Sequence, residues 1–147
     1  MLTARFTNKN LDPDVHNMVQ ISAGDPKFSL PYRIDHKLSM LAPLPAIFRY
    51  PDYAIFETEY RKQLDQTGIN RIQAELDRVS NPNKITVLLC FEDIRKPDQW
   101  CHRRIFAQWW EEKTGQEIAE LTERDPVKLT ARERRLRDDK LYNGYLF

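Results

Sequence analysis

Residues 85–92 read Ile85-Thr-Val-Leu-Leu-Cys-Phe-Glu92, and this run decides the fold. Its apolar residues do not alternate with polar ones, a pattern typical of a strand buried on both faces of a parallel sheet. We therefore predict a central strand over residues 85–91, covered by helices on both faces. Its carboxyl end carries the thiol of Cys90 and the carboxylate of Glu92.

An amphipathic stretch follows after a short polar loop and reads Trp100-Cys-His-Arg-Arg-Ile-Phe-Ala-Gln-Trp-Trp110. The helical spacing of its apolar residues predicts a helix whose buried side carries Ile105, Phe106, Trp109 and Trp110. Gly115 is a favourable residue just past the end of such a helix. Cys101, His102 and Arg103 therefore lie where the helix begins, beside the end of the predicted strand.

The other predicted elements complete a small sheet. Residues 15–22 favour a strand, residues 4–7 a weaker one, and residues 117–122 a parallel strand next to the central one. Residues 52–80 carry two apolar helical stripes with a break at Thr67-Gly68. The right-handed crossover rule then gives an α/β fold, a small parallel sheet layered by helices in a Rossmann-like, three-layer arrangement.

The length and charge of the chain exclude some classes of protein. A chain of 147 residues fits one domain, which we place at residues 1–122, followed by a charged helical extension at 123–147. The net charge of +1 argues against a protein that is basic throughout. No apolar run reaches the roughly 20 residues of a membrane helix, and the chain start lacks the apolar core of a signal peptide. We expect a cytoplasmic location and no membrane partner.

A shaped turn lies at Ser22-Ala-Gly-Asp-Pro-Lys27. Gly24 can take a positive φ and Pro26 holds Asp25 extended, which exposes backbone amides beside the Asp25 and Lys27 charges. The turn is either an anion-binding wall or an ordinary strand-end turn. The proline-rich residues 28–51 that follow predict an irregular segment, laid over the core by its aromatic and leucine side chains.

Polar and reactive side chains meet at the junction between the central strand and the next helix. In open α/β sheets, ligands bind beyond the carboxyl ends of the strands, where the positive end of a helix favours an anion. Arg103 adds a planar donor. We therefore expect a small phosphorylated or nucleotide-like ligand here, held by Arg103, Lys27, Gly24, Asp25 and Ser22, and an enzymatic activity stays open.

The same junction is compatible with thiol or metal chemistry. A thiol at a helix start beside His102 favours its thiolate, so Cys101 is a candidate nucleophile or redox group, with Cys90 as its resolving partner or simply a buried residue. Glu92 and His102 complete the candidate catalytic set. A structural zinc ion on Cys90, Cys101 and His102 is a further alternative, although its fourth ligand would have to come from as far away as His16 or His36.

The charged extension offers a different function. Its arginines are predicted on a helix capped by Thr130 and comprise Arg132, Arg134, Arg135 and Arg137. Together with the aromatic end at residues 141–147, they are compatible with a nucleic-acid or protein partner, or with docking on a second copy in a homo-oligomer. Charge runs are also commonly solvated helix faces, because acidic residues neutralise part of the charge.

Two motifs of the chain resemble the family catalogued as domain of unknown function 488. These are Leu88-Leu-Cys-Phe-Glu92 and Cys101-His-Arg103, and the resemblance extends over about residues 19–121, including Ile21-Ser-Ala-Gly-Asp-Pro-Lys-Phe28. It implies an α/β protein of bacteria and their phages with these motifs in one pocket, and no known reaction. The family's characteristic positions fall on Cys90, Glu92, Cys101, His102 and Arg103, and on Ser22, Pro26 and Lys27.

Overall fold

A five-stranded, all-parallel sheet forms the centre of the protein in the computed structural model, which describes the backbone of residues 1–142 and the side chains of residues 1–139. The strands are Leu2–Arg5 (β1), His16–Gln20 (β2), His36–Lys37 (β3), Ile85–Cys90 (β4) and Ala119–Glu120 (β5). Their order across the sheet is β3-β2-β4-β1-β5. The predicted central strand is confirmed, because β4 pairs with β2 on one side and β1 on the other.

Four α-helices accompany the sheet: Tyr53–Thr67 (α1), Ile69–Val79 (α2), His102–Thr114 (α3) and Ala131–Tyr142 (α4). The predicted break between α1 and α2 falls at Gly68, whose φ of 88° is in the region that favours glycine. Gly115 ends α3 in the left-handed conformation with a φ of 75°. Both helix ends therefore follow from the position of a glycine.

The position of β1 differs from the sequence-based expectation. The sequence predicts a strand at residues 117–122 next to β4, but Leu2 pairs with Val87 on one side and with Ala119 on the other. β1 therefore separates β5 from β4. Its short length and its polar neighbours conceal this role in the sequence, although Thr3 and Ala4 are fully buried.

The two faces of the sheet are covered differently. Leu88 packs into a cluster with α1, α2 and α3, whereas its neighbours Val87 and Leu89 pack into a second cluster on the opposite face. That second cluster is completed by residues of strand ends and irregular segments, among them Leu11, Leu30, Tyr32 and Ile34. Loop segments thus cover this second face and form the third layer, whereas the apolar run of β4 predicted a helix on each face of the sheet.

The predicted irregular segment, residues 28–51, runs around the β3 edge of the sheet and includes β3 itself. Its first part packs into the second cluster, and its later part packs into the cluster under the helices. It contains two short 3-10 turns, Ser39–Leu41 and Ile47–Arg49, which bury Leu41 and Ile47.

Thr130 caps α4 as predicted, since its Oγ1 accepts a hydrogen bond of 3.1 Å from the Glu133 backbone N–H. The expected docking of the aromatic end falls on residues 141–147, outside the residues whose side chains are described. Among the described residues, no helix combines the length and apolar character needed to cross a membrane.

Candidate functional site

Two thiols and an imidazole meet where β4 ends and α3 begins. Cys90 is the last residue of β4, and Cys101 is the residue that precedes the first turn of α3. The Sγ atoms of Cys90 and Cys101 lie 3.6 and 3.9 Å from the Nδ1 atom of His102. These three donor atoms all lie within 4.8 Å of one another, and all three residues are buried. The fold therefore builds a compact sulfur and nitrogen cluster.

The orientation of His102 is set by the end of β2. Its Nε2 atom lies 2.8 Å from the carbonyl oxygen of Ile21, an acceptor, so Nε2 carries the proton and donates it. Tyr60 holds the other side of the ring, with an edge-to-face contact of 5.5 Å between ring centroids. Nδ1 is thereby aimed at the two thiols. It can receive a proton from a thiol or offer its lone pair to a metal ion.

The cluster favours one thiolate and one thiol. Burial by itself raises the pKa of Cys101. A hydrogen bond from the Cys90 thiol, the His102 ring once its Nδ1 has taken up a proton, and the charge of Arg103 together hold that pKa well below its usual range. The hydrogen bond to Cys101 and burial raise the pKa of Cys90. Cys101 is therefore the group that carries negative charge, and Cys90 is the proton donor.

Glu92 lies beside this pair. Its Oε2 atom is 3.5 Å from the Cys90 sulfur, so Glu92 is a second acceptor for the single Cys90 proton, besides Cys101. Burial, followed by the negative charge of Cys101, raises the pKa of Glu92 to about 7. A carboxyl group of this kind exchanges protons near neutral pH.

Arg103 does not offer the ligand-binding donor that its position in the sequence suggested. Its side chain is fully buried, and its Nε and Nη2 atoms bind Glu120 at 3.0 and 2.7 Å. The Nη1 atom has no hydrogen-bond partner among the described residues. The guanidinium therefore acts as a fixed positive charge behind Cys101 and a link to β5.

Two adjoining cavities open onto the cluster. One, of about 280 Å³, is lined by Phe48, Phe56, Glu92, Asp98, Gln99, Trp100, Cys101 and His102. The other, of about 100 Å³, is lined by Ser22, Ala23, Gly24, Phe48, Cys90, Phe91, Glu92 and His102. The turn after β2 thus lines the smaller cavity together with Cys90 and His102, and the proline-rich segment contributes Phe48 to both cavities.

The charged residues of this turn, Asp25 and Lys27, do not line either of the two cavities. Asp25 is exposed, and its Oδ1 accepts hydrogen bonds of 2.9 Å from Gln20 and 3.0 Å from Lys37. These bonds, that of Gln20 first, lower the pKa of Asp25. Among the described residues, the lining of the two cavities includes Ser22 and Gly24 but neither Asp25 nor Lys27. Gly24 also lacks the positive φ that the sequence allowed it.

The histidines considered as distant metal ligands are placed away from the cluster. His16 pairs with Ile85 at the opposite end of β4 from Cys90, and its Nδ1 accepts the Asp12 backbone N–H at 3.0 Å. His36 is exposed on the edge strand β3. The expectation of a fourth ligand from either residue is wrong. Glu92, two residues after Cys90, is the nearer oxygen donor.

The aromatic wall of the larger cavity is the part of the site that sequence reasoning missed. It consists of Phe48, Phe56 and Trp100. Trp100 directly precedes Cys101, which is a local signal. Phe48 and Phe56 lie more than 30 residues before the cluster, and helical spacing suggested only a core role for Phe56.

Comparisons with known protein families, with curated proteins and with solved structures find no match to this chain.

Proposed function

We propose that the protein binds a transition-metal ion of the zinc class through the Sγ atoms of Cys90 and Cys101 and the Nδ1 atom of His102. The observation that carries the proposal is the spacing of these atoms, since both sulfurs lie 3.6–3.9 Å from Nδ1. Tetrahedral zinc with bonds of about 2.0–2.3 Å separates its ligand atoms by roughly 3.3–3.8 Å. The cluster needs only small side-chain rotations to hold such an ion.

The surroundings of the cluster support this proposal. Histidine ligands commonly donate their second ring N–H to a carbonyl or carboxylate, and the bond from His102 to Ile21 has this form. The buried positive charge of Arg103 favours the thiolate that a metal requires. Two sulfurs and one imidazole select zinc and similar soft or borderline ions over magnesium and calcium.

The donor count favours a reactive site over a purely structural one. Structural zinc sites are closed by four protein ligands, whereas catalytic sites use three and leave one position for water or substrate. Here Cys101 and His102 line a cavity of about 280 Å³ that also has Glu92 on its wall, and Cys90 lines the smaller adjoining cavity. We place the fourth position toward the larger cavity, where Glu92, a water molecule or a small ligand can occupy it.

The test is metal analysis of protein purified without chelator and then incubated with Zn²⁺ and dialysed. Wild-type protein is expected to retain roughly one ion per chain, and Cys101→Ser and His102→Gln to lose it. His36→Gln is the matched control, because it removes an exposed histidine and leaves the cluster intact. Wild-type protein without bound metal, or equal retention by Cys101→Ser, would contradict the proposal.

A second candidate function is thiol chemistry in the metal-free protein. The observation that favours it is the Cys101 thiolate beside His102 at the start of a helix, facing the larger cavity. Cys101 is then the nucleophile that attacks an electrophilic carbon, and Cys90 keeps its proton. Mass spectrometry after brief iodoacetamide treatment at pH 7 is expected to find Cys101 alkylated before Cys90. Equal or reversed labelling would remove this candidate.

The remaining expectations from the sequence stay predictions. A phosphorylated or nucleotide-like ligand would enter a cavity whose wall carries Glu92 and Asp98, and carboxylates repel phosphate. Its aromatic residues would still accommodate a base. Nucleic-acid binding through the arginines of α4, assembly with a second copy, and the resemblance to the domain of unknown function 488 also remain predictions.

A further inference from the structure

Three aromatic rings, those of Phe48, Phe56 and Trp100, line the larger cavity. The ring centroids of Phe56 and Trp100 are 4.5 Å apart and the rings cross at 63°. Phe48 meets Phe56 at 6.2 Å and 64°. The rings therefore pack edge to face against one another, and all three residues also line the cavity. A cation in the cavity is attracted where an electron-rich ring face is turned toward it.

The cavity wall carries two acidic side chains. Asp98 contributes a carboxylate and Glu92 a carboxyl group that is partly ionised at neutral pH, and among the described residues the lining includes no lysine or arginine. The nearest buried cation, Arg103, is paired with Glu120. A positively charged guest therefore gains from both the carboxylates and the ring faces, whereas a phosphate is repelled.

The size of the cavity limits the guest further. Its volume of about 280 Å³ lies just below the roughly 300–1,000 Å³ of pockets that hold drug-sized ligands. A molecule with a compact charged head fits this space better than a nucleotide does.

We infer that this cavity binds a small organic cation whose alkylated ammonium group lies against Phe48, Phe56 and Trp100. Glu92 and Asp98 balance its charge. The inference stands on the aromatic rings and the charge of the wall, and it does not require a metal ion on the cysteines. It replaces the phosphorylated ligand expected from the sequence with a ligand of opposite charge.

Isothermal titration of the metal-free protein tests this inference with three probes. Choline supplies the quaternary ammonium group, its neutral carbon analogue has the same shape without the charge, and adenosine monophosphate supplies the phosphate. Choline is expected to bind about 3- to 30-fold more tightly than the neutral analogue, the range that a cation over aromatic faces provides. Adenosine monophosphate is expected to bind more weakly than choline.

Variants assign the binding to this cavity. Trp100→Leu keeps an apolar side chain but removes a ring face, so it is expected to weaken choline binding about 3- to 30-fold with little effect on the neutral analogue. Asp98→Asn, an exposed change that leaves the core intact, is expected to weaken choline binding by up to about 5-fold. Glu117→Gln is the matched control, since it removes an exposed carboxylate that is not part of the cavity lining, and it is expected to change nothing.

Three results would overturn the inference. They are equal affinity for choline and its neutral analogue, tighter binding of adenosine monophosphate than of choline, and no heat from choline at millimolar concentration with folded wild-type protein. Unchanged choline binding in both Trp100→Leu and Asp98→Asn would place the cation elsewhere and overturn it as well.

Discussion

The fully buried Arg103 forms a two-pronged ion pair with the partly buried Glu120, with N···O distances of 2.7 and 3.0 Å. Glu120→Ala leaves the fully buried guanidinium without its counter-charge, so we expect a loss of about 3–5 kcal/mol in the free energy of unfolding. Urea denaturation measures this loss. The control is Glu112→Ala, whose partnership with Arg61 is exposed and is expected to contribute no more than about 1 kcal/mol. Equal losses in the two variants would show that the Arg103–Glu120 pair contributes no more to the free energy of unfolding than an exposed ion pair does.

Gln63 supports the segment that carries Phe48. Its Nε2 atom donates to the Ala42 carbonyl at 2.7 Å, and its Oε1 atom accepts from the Leu44 N–H at 2.8 Å. Gln63→Leu leaves both backbone groups without this partner, so we expect a loss of about 1–3 kcal/mol in stability and faster hydrogen exchange at the Leu44 amide. The exposed neighbour Gln66 is the matched control. Unchanged exchange at Leu44 would mean that other contacts hold the segment.

Gly115 and Gly24 provide a matched pair of glycine substitutions. Gly115 ends α3 with a φ of 75°, whereas Gly24 has no positive φ, and the space that a Cβ would occupy there is open. Gly115→Ala is therefore expected to lower the free energy of unfolding by about 1–2 kcal/mol. Gly24→Ala is expected to leave it unchanged or raise it by up to about 1 kcal/mol. Thermal or urea unfolding distinguishes them, and a larger loss at Gly24 would contradict the assigned backbone conformations.

His16 makes stability depend on pH. Burial lowers the pKa of His16 below its ordinary value of 6.5, and the Asp12 carboxylate offsets only part of this effect. At this residue the unfolded chain therefore binds more protons than the folded one near and below pH 6.5, so the contribution of His16 to the free energy of unfolding falls as the pH drops. The raised pKa of Glu92 acts in the opposite direction, so the contribution of His16 is obtained by comparing variants. His16→Asn, whose side-chain oxygen can still accept the Asp12 N–H, is expected to reduce that fall. Urea midpoints at pH 7.5 and 5.5 measure it. His36→Gln should retain the wild-type dependence, and an identical fall in His16→Asn would rule out His16 as the source.

The parts of the fold that a local pattern specifies were predictable. The unbroken apolar run of β4, the glycine after α1 and the glycine after α3 each act over a few residues, and each prediction is confirmed. The placement of β1 was not predictable in the same way. It depends on pairing between Leu2 and Val87, which are distant in the chain, and four residues carry too short a pattern to show it.

In the candidate site, too, the features set by local sequence were predictable and those set by distant contacts were not. The meeting of Cys90, Glu92, Cys101 and His102 follows from the rule that ligands gather at the carboxyl ends of parallel strands. The role of Arg103 depended on whether Glu120 reached it from β5, which spacing cannot reveal. The aromatic wall likewise required Phe48, from the irregular segment, and Phe56, from α1, to be packed beside Trp100.

The place of β1 between β4 and β5 has a consequence for how the chain is made. Its partner residues Val87 and Ala119 are synthesised long after Leu2, and ribosomes add roughly 5–20 residues per second. Once made, β1 thus waits about 4–17 s for β4, and the sheet cannot be completed until β5 has left the ribosome. Contacts between such distant parts of a chain also slow folding. Until β4 and β5 have emerged, neither edge of β1 has its sheet partner.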